Sequence, residues 1–288
     1  MPKVSVIIPA FNVHDYIGDA IDSVLNQTFT DWELIVVNDG STDGTSEVLS
    51  EYQEQIDYLD VEHKGAATAR NLGLSRAKGE LIAFLDGDDA WLPERLEILT
   101  EYLSQNEDIG FVTTDAFLIR GTARSDQTFY GSFPKSRRFR WADQSYWIVQ
   151  YNFVFTMALV HRQLFERHGT FEPSLPGLED WDLWMRFILG GEKAGLVDSP
   201  LALYRIRPGS LSAGRIGSPS NEAAVLERAA QSPHSSSIRG LKGRIEFAKA
   251  KQSLVLGNTT DARRLLRSVA VDSELPVQTR LRALEGSV

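Results

Sequence analysis

Hydrophobic and polar positions follow two alternating patterns over residues 3–86. Short, continuous apolar runs are typical of buried strands, whereas apolar residues recurring at three- and four-residue intervals predict amphipathic helices. The predicted strands cover residues 3–9, 32–38, 58–62 and 80–85, and the predicted helices cover 15–26, 43–54 and 66–77. Regular alternation of strand and helix predicts an α/β fold on a parallel sheet, with right-handed crossovers and helices flanking the sheet.

The pattern loosens in the second half of the chain. Strands are predicted at residues 110–119 and 195–204, and an amphipathic helix is predicted at 179–190. Residues 121–145, which include the segment KSRRFRW, show no periodicity and are predicted to be one long polar and aromatic loop. Loops of this length in a compact domain are usually functional or disordered.

A linker and a helical tail are predicted after the last strand. Residues 209–220 are rich in Gly, Ser and Pro, and residues 221–285 are dominated by Ala, Leu and Arg in a helical pattern. We therefore predict a main domain over residues 1–215 and an α-helical C-terminal appendage over residues 216–288. Such an appendage could support a homo-oligomer or bind a partner.

The composition of the chain indicates which partners, which cysteine chemistry and which cellular location to expect. A net charge of −9 argues against non-specific nucleic-acid binding, so we predict no nucleic-acid partner. The absence of cysteine excludes disulfides and thiolate metal sites. No apolar run approaches the ~20 residues that span a bilayer, and the run before Pro9 is too short for a signal peptide. We expect a cytoplasmic protein, or one that is peripheral at the inner face of the membrane.

Acidic residues follow two of the predicted strands. The segment FLDGDD places Asp86, Asp88 and Asp89 directly after one strand, and VVNDGSTDGT places Asp39 at the end of another. Carboxyl ends of parallel strands share one edge of a sheet, where ligands bind. Three like charges this close repel one another unless a cation or a hydrogen-bonding ligand lies between them. Carboxylate oxygens suit Mg²⁺ or Mn²⁺, often together with phosphate oxygens, so the pattern predicts a nucleotide and a divalent cation.

Other nucleotide-binding folds fit the sequence poorly. The first predicted strand is followed by PAFN rather than GxGxxG, and GxxxxGK[ST] occurs nowhere. Dinucleotide-dependent oxidoreductases and P-loop enzymes are therefore disfavoured.

Six segments in order give the chain a specific resemblance. They are VSVIIPAFN, VVNDGSTDGT, GAATARNLGL, FLDGDD, GLEDWDLWMR and LYRIRPGSLS, and they span about residues 3–212. The chain resembles the family 2 inverting glycosyltransferases, which have the GT-A nucleotide-sugar-binding fold. The resemblance implies a metal-dependent enzyme that transfers a sugar from a nucleotide-diphospho-sugar to a hydroxyl of a glycan or lipid-linked acceptor in cell-surface polysaccharide synthesis.

The resemblance also implies a nucleotide-sugar site built from all of these segments. Its members would be Pro9, Ala10, Phe11, Asp39, Arg70, Asn71, Asp86, Asp88 and Arg207. Pro9, Ala10 and Phe11 would line the base pocket, with Asp39 bonded to the base. Asp88 and Asp89 would hold Mn²⁺ or Mg²⁺, and which aspartate of the DGDD motif ligates the metal stays open. A UDP-sugar is the first candidate donor, with GDP- and dTDP-sugars as alternatives.

The resemblance places the general base in the second half of the chain. Asp180, in the pair Glu179–Asp180, matches the carboxylate that accepts the proton of the acceptor hydroxyl. Family members often have His two residues after the YR of the last segment, and this chain has Arg207. Because Arg keeps its charge and cannot ligate a metal, we expect Arg207 to contact the diphosphate directly.

Two rival functions stay open from the sequence. A catalytically silent nucleotide-sugar-binding protein with a partner-binding tail would keep the donor motifs without turnover. A nucleotidyltransferase on a related sheet would usually have a Gly-rich, basic loop after the first strand, where this chain has PAFN.

Overall fold

The computed structural model describes residues 1–121, 123–133, 139–207, 219–231 and 238–287. The strands of these residues are β1 (Val4–Ala10), β2 (Trp32–Asp39), β3 (Asp57–Val61), β4 (Leu81–Phe84), β5 (Ala90–Trp91), β6 (Phe111–Arg120), β7 (Ala123–Thr128), β8 (Leu159–His161) and β9 (Ala194–Arg205). The helices are α1 (Ile17–Leu25), α2 (Thr45–Ser50), α3 (Ala66–Arg76), α4 (Arg95–Gln105), α5 (Phe129–Ser132), α6 (Gln144–Gln150), α7 (Gln163–His168), α8 (Glu179–Leu189), α9 (Pro219–Ala230), α10 (Leu241–Val255), α11 (Thr259–Val271) and α12 (Val277–Ser287).

One mixed sheet organises the main body of the protein. Its strand order is β3-β2-β1-β4-β8-β6-β9-β5, and β7 pairs with β6 outside this path. The half that contains β1 to β4 is parallel, as predicted. The other half is mixed, because β8 runs antiparallel to both β4 and β6, while β6 and β9 are parallel. The predicted α/β class with flanking helices is confirmed, and so is the parallel pairing predicted for the strands of residues 3–86.

The central strands are buried on both faces. Every residue of β1 and of β4 is buried, and helices cover the sheet on each side. Strands of this kind appear in sequence as continuous apolar runs rather than as alternating ones, which explains why the apolar runs located them well. Burial of both faces holds the ends of β1, β2 and β4 in a fixed arrangement.

The prediction of one long loop over residues 121–145 is wrong in part. Residues 123–128 form β7, which is antiparallel to β6, the short helix α5 lies in the same stretch, and α6 begins at its end. The strand was missed because ARSDQT is polar and largely exposed, so that only backbone pairing, and no apolar periodicity, marks it. Four residues of the basic segment, 135–138, lie outside the described residues.

A helical region was predicted over residues 221–285, and its described residues form the four helices α9 to α12. Ala223, Val225, Leu226, Leu241 and Ala248, from α9 and α10, join the main hydrophobic core. A second, smaller core is formed by Ala250, Leu266, Val269, Leu275 and Ala283. The predicted division at residue 215 falls outside the described residues and stays a prediction.

Among the described residues, no helix is both long and apolar enough to cross a membrane.

Candidate functional site

Three neighbouring strands end at one edge of the sheet. Ala10 at the end of β1 pairs with Asn38 of β2, and Ile7 of β1 pairs with Phe84 at the end of β4. The residues that follow these strands therefore lie side by side. This confirms that Asp39 and the DGDD segment meet at the same edge, as expected for the carboxyl ends of parallel strands.

A tight turn after β4 presents the DGDD motif. Asp89 donates its backbone N–H to the carbonyl of Asp86 at 3.0 Å, and β5 follows at once and pairs with β9. A Cβ atom on Gly87 would lie only 3.2 Å from the carbonyl oxygen of Pro9, so a side chain would crowd the end of β1. The pairing of β5 with β9 also brings the residues that end β9 next to the aspartates.

Each of the three aspartates has a separate arginine as its partner. Asp86 accepts a hydrogen bond from Arg70 at 2.6 Å, and Asp88 accepts one from Nε of Arg207 at 2.6 Å. Asp89 accepts the backbone N–H of Arg205 at 2.7 Å. Arginines thus contact all three acids, two of them through the guanidinium and the third through a backbone N–H.

Burial makes the inner two aspartates reluctant to ionise. Desolvation, with the nearby Asp86, raises the pKa of Asp88, although Arg207 opposes the rise. Desolvation, followed by the charges of Asp88 and Asp86, raises the pKa of Asp89 well above its ordinary value. A divalent cation would reverse this preference by favouring the charged carboxylates.

The residues present fit a divalent cation bound by two protein carboxylates. The described residues contain no group of three His, Cys, Asp or Glu side chains that could hold a metal by itself. Oδ2 of Asp89 is buried and has no hydrogen-bond partner among the described residues, which leaves it available to a ligand. Mg²⁺ commonly uses one or two carboxylates, with water and substrate phosphates completing its shell, so Asp88 and Asp89 fit that role.

Asp39 organises the turn before α3. Its two carboxylate oxygens each accept a backbone N–H at 2.8 Å, one from Lys64 and one from Gly65. Nδ1 of His63 lies 2.9 Å from Oδ2 of Asp39, and the His63 ring stacks on Phe11 with centroids 3.9 Å apart. Phe11 is 40% exposed, so this stack offers an aromatic face at the strand edge beside a buried carboxylate.

Three of the predicted nucleotide-binding residues have contacts within the fold. Pro9 and Ala10 are buried within β1, where they pair with β2, and Phe11 follows them at the end of the strand. The amide of Asn71 is engaged at both ends by the backbone of Phe171, which accepts from Nδ2 at 2.8 Å and donates to Oδ1 at 3.0 Å. Asn71 therefore links α3 to the segment before α8, and its place in a nucleotide site stays a prediction.

Arg70 joins the two halves of the site. Its guanidinium, only 5% exposed, donates to Asp86 at 2.6 Å and to Glu179 at 2.8 Å. These two carboxylates raise the pKa of Arg70 despite its burial, so the group stays charged. Nε of Arg70 and Oε2 of Glu179 are also buried without a partner among the described residues. Arg70 thereby holds the start of α8 against the strand edge.

The adjacent acids Glu179 and Asp180 face different partners. Glu179 is buried against Arg70, whereas Oδ2 of Asp180 accepts from the Thr156 hydroxyl at 2.7 Å and from Nδ2 of Asn152 at 3.2 Å. Burial, with the charge of Glu179, raises the pKa of Asp180 to about 6. A carboxylate with this pKa is ionised at neutral pH and is more basic than an ordinary aspartate, as proton abstraction requires.

Sequence reasoning missed four residues of this site. His63, Asn152, Thr156 and Arg205 were given no role, and they contact Asp39, Asp180 or Asp89. His63 lies just before the GAATARN segment, so its neighbourhood was a usable clue. Asn152 and Thr156 lie in an apolar stretch without a motif, and only the fold brings them to α8.

The chain is similar in sequence to the proteins of one known family. The model of the family described as "Glycosyl transferase family 2" matches residues 5–169. The chain belongs to glycosyl transferase family 2. The family that the sequence motifs predicted is thereby confirmed.

One glycosyltransferase is similar to part of the chain in sequence. The chain is 48% identical over 110 residues to the putative teichuronic acid biosynthesis glycosyltransferase TuaG of Bacillus subtilis, which covers 36% of this chain and 43% of that protein. The chain spans about half the length of the curated relatives it matches.

Two solved structures are similar to the chain in fold. TarS of S. aureus, solved with UDP-GlcNAc, superposes with a TM-score of 0.68 at 16% identity, over 99% of this chain and 88% of that one. The mannosyltransferase PcManGT of Pyrobaculum calidifontis, solved with GDP-Man and Mn²⁺, gives a TM-score of 0.58 at 21% identity, over 99% of this chain and 79% of that one. The predicted GT-A-type fold is confirmed.

Proposed function

We propose that the chain is an inverting glycosyltransferase that moves a sugar from a nucleotide-diphospho-sugar to a hydroxyl of a glycan or lipid-linked acceptor. The observation behind this proposal is the bridge from Asp86 through Arg70 to Glu179. It places the acidic strand edge, where a nucleotide donor would lie, beside Asp180, a carboxylate with a raised pKa.

The donor would lie along the strand edge. The stacked rings of Phe11 and His63 suit the flat face of a nucleobase, and Asp39 beneath them suits its N–H groups. A UDP-sugar is the first candidate, because TarS was solved with UDP-GlcNAc, and a GDP-sugar is the second, because PcManGT was solved with GDP-Man.

A divalent cation would lie next to the diphosphate. Asp88 and Asp89 would hold Mn²⁺ or Mg²⁺, and PcManGT was solved with Mn²⁺. When bound, the metal would offset the negative charge that builds up on the departing nucleoside diphosphate. Arg207, bonded to Asp88, would provide a second positive group on the same side.

Asp180 would act on the acceptor. A sugar hydroxyl is a poor nucleophile at neutral pH, and a carboxylate within hydrogen-bond reach can take its proton as the oxygen attacks the anomeric carbon. The bond to the diphosphate oxygen breaks as the new glycosidic bond forms, and the pair of electrons leaves with the diphosphate. A single displacement of this kind inverts the anomeric configuration.

The test is the substitution Asp180→Asn, assayed with a panel of UDP-, GDP- and dTDP-sugars and Mn²⁺. Loss of the base should lower kcat by roughly 10²–10⁴-fold. The Kd for the donor, measured by calorimetry, should stay close to that of the wild type, because Asp180 acts on the acceptor.

Glu179→Gln is the matched control, because it keeps the size of the side chain and lies on the neighbouring position. A dead Glu179→Gln enzyme beside an active Asp180→Asn enzyme would reverse the assignment of the base. Wild-type protein that binds nucleotide but turns over no donor would favour the silent binding protein instead.

The surroundings of the enzyme are part of the same proposal. An acceptor linked to a lipid would require an enzyme that works in the cytoplasm at the inner face of the membrane. Helices α11 and α12, whose small core is separate from the main one, would support assembly into a homo-oligomer.

A further inference from the structure

A short segment between α6 and β8 lies opposite the start of α8. Two of its side chains, Asn152 and Thr156, donate hydrogen bonds to the same oxygen of Asp180, at 3.2 Å and 2.7 Å. The other oxygen accepts the backbone N–H of Trp181 at 2.6 Å. Every donor that the structure gives to this carboxylate is therefore uncharged, whereas the acids at the strand edge are paired with arginines.

The fold holds this segment firmly. Oδ1 of Asn152 accepts the backbone N–H of Val154 at 3.2 Å, so the amide is oriented with Nδ2 towards Asp180. Buried Thr113 of β6 donates its hydroxyl to the carbonyl of Phe155 at 3.2 Å. The strand that follows, β8, is antiparallel to β4, so the position of the segment relative to the acidic edge is set by the sheet.

We propose that Asn152 and Thr156 are positioning residues that hold the carboxylate of Asp180 ready to take the acceptor proton. This inference rests on the proposed function, because it assigns a role relative to the base of that reaction. Two donors on one oxygen remove the rotational freedom of the carboxylate, and a correctly oriented base is worth a large part of the rate. The pair acts through Asp180 and needs no contact with the sugar.

Charge explains why neutral donors are suited to this task. The charged groups that face Asp180 are Glu179 on the same helix and Arg70 on α3, and the segment from Asn152 to Thr156 contributes none. Burial and Glu179 raise the pKa of Asp180, and the Thr156 hydroxyl lowers it. Neutral donors keep the group ionised at neutral pH, whereas an arginine in their place would lower its basicity much further.

The experiment is a carboxyl titration by NMR on the whole protein labelled with ¹³C at the aspartate carboxyls. The Asp180 signal is the one that disappears in Asp180→Asn. In Thr156→Val, which keeps the shape but loses the hydroxyl, the titration midpoint should rise from about 6 by roughly one pH unit, as expected from the loss of one hydrogen bond to a charged group.

Two matched variants separate positioning from folding. Thr156→Ser keeps the hydroxyl and should restore the wild-type midpoint. Thr45→Val loses a buried hydroxyl that bonds Val13 and Asp43 and not the segment around Thr156, so its midpoint should equal that of the wild type. An unchanged midpoint in Thr156→Val, or an equal rise in Thr45→Val, overturns the proposal.

A second substitution keeps the test decisive if Thr156→Val does not fold. Asn152→Asp can still accept the N–H of Val154, but it replaces the amide donor with a second negative charge. The midpoint of Asp180 should then rise by at least as much as in Thr156→Val, and an unchanged midpoint contradicts the proposal.

Transfer assays keep this inference distinct from the proposed function. At pH 7, Thr156→Val should lose turnover at an unchanged Kd for UDP with Mn²⁺. An Asp180→Asn enzyme with wild-type turnover would sink the proposed function and the positioning role with it. An inactive Asp180→Asn enzyme beside an unshifted titration in Thr156→Val would remove only the positioning role.

Discussion

The strand edge and the start of α8 use the same chemical group with different hydrogen-bond partners. At the edge, Asp86 and Asp88 are paired with Arg70 and Arg207, at 2.6 Å in both cases. At the start of α8, every hydrogen bond that the described residues donate to Asp180 comes from a neutral group, and burial, with the charge of Glu179, raises its pKa to about 6. Burial and the nearby Asp86 raise the pKa of Asp88 as well, but there Arg207 opposes the rise, because a cationic partner stabilises the charged form of a carboxylate.

This difference matches the two tasks proposed for the cleft. A site for a nucleoside diphosphate and a cation needs carboxylates that are fixed in place and that ionise when the cation binds. A general base needs a carboxylate that gains a proton easily during the reaction and is still ionised beforehand. Arg70 belongs to both regions, because it bonds Asp86 on one side and Glu179 on the other.

The largest effect is expected when Arg70, which connects the two regions, is replaced. Arg70→Met leaves Glu179 buried without its cation, and breaking a buried ion pair in this way typically costs about 3–5 kcal/mol of unfolding free energy. Urea unfolding followed by circular dichroism measures the loss. The double variant Arg70→Met/Glu179→Gln should recover part of it, and a single variant as stable as the wild type would show that the bridge is not structural.

A second prediction concerns how the buried carboxylate of Asp180 changes the free energy of unfolding with pH. Because the folded pKa of Asp180 lies above its ordinary value of 3.8, the folded state holds the proton more tightly, and the unfolding free energy falls as pH rises from about 4 to about 6. Asp180→Asn should therefore be more stable than the wild type above pH 6, by up to roughly 3 kcal/mol, with no gain below pH 4.

Thermal unfolding across this pH range measures the effect, and the strand edge provides the control. Asp86→Asn removes a partner of buried Arg70, so it should lower stability where Asp180→Asn raises it. Equal shifts in the two variants would mean that the surroundings of the two carboxylates do not differ in the way described.

The smallest expected effect is on the affinity of the strand edge for Mn²⁺. Arg207 is bonded to Asp88, so its charge competes with a cation for that carboxylate. Arg207→Gln should tighten the binding of Mn²⁺ alone by a few-fold, less than the factor of ten that corresponds to about 1.4 kcal/mol. Calorimetry without nucleotide measures the Kd for Mn²⁺. Arg167→Gln is the control, because Arg167 pairs with the distant Glu192. Weaker Mn²⁺ binding in Arg207→Gln would contradict the competition.

Most of the fold of the first half was predictable because its strands are buried on both faces. β1, β2 and β4 appear as continuous apolar runs, and the helices between them show clear periodicity. β7 was missed because a polar edge strand has no such pattern. The antiparallel placement of β8 was also beyond prediction, since three residues contain too little information to choose a partner strand.

The sequence by itself determined where along the chain the candidate carboxylates occur. Asp39 ends a strand, Asp86, Asp88 and Asp89 follow one, and Asp180 lies in the first turn of a helix, because short local patterns set the ends of these elements. The tertiary structure alone decided the partners of each acid. Arg70 and Glu179 are 109 positions apart, and Arg207 and Asp88 are 119 apart. The pKa of a carboxylate depends on its burial and on charges within a few ångströms, and only the folded chain sets that burial and those distances.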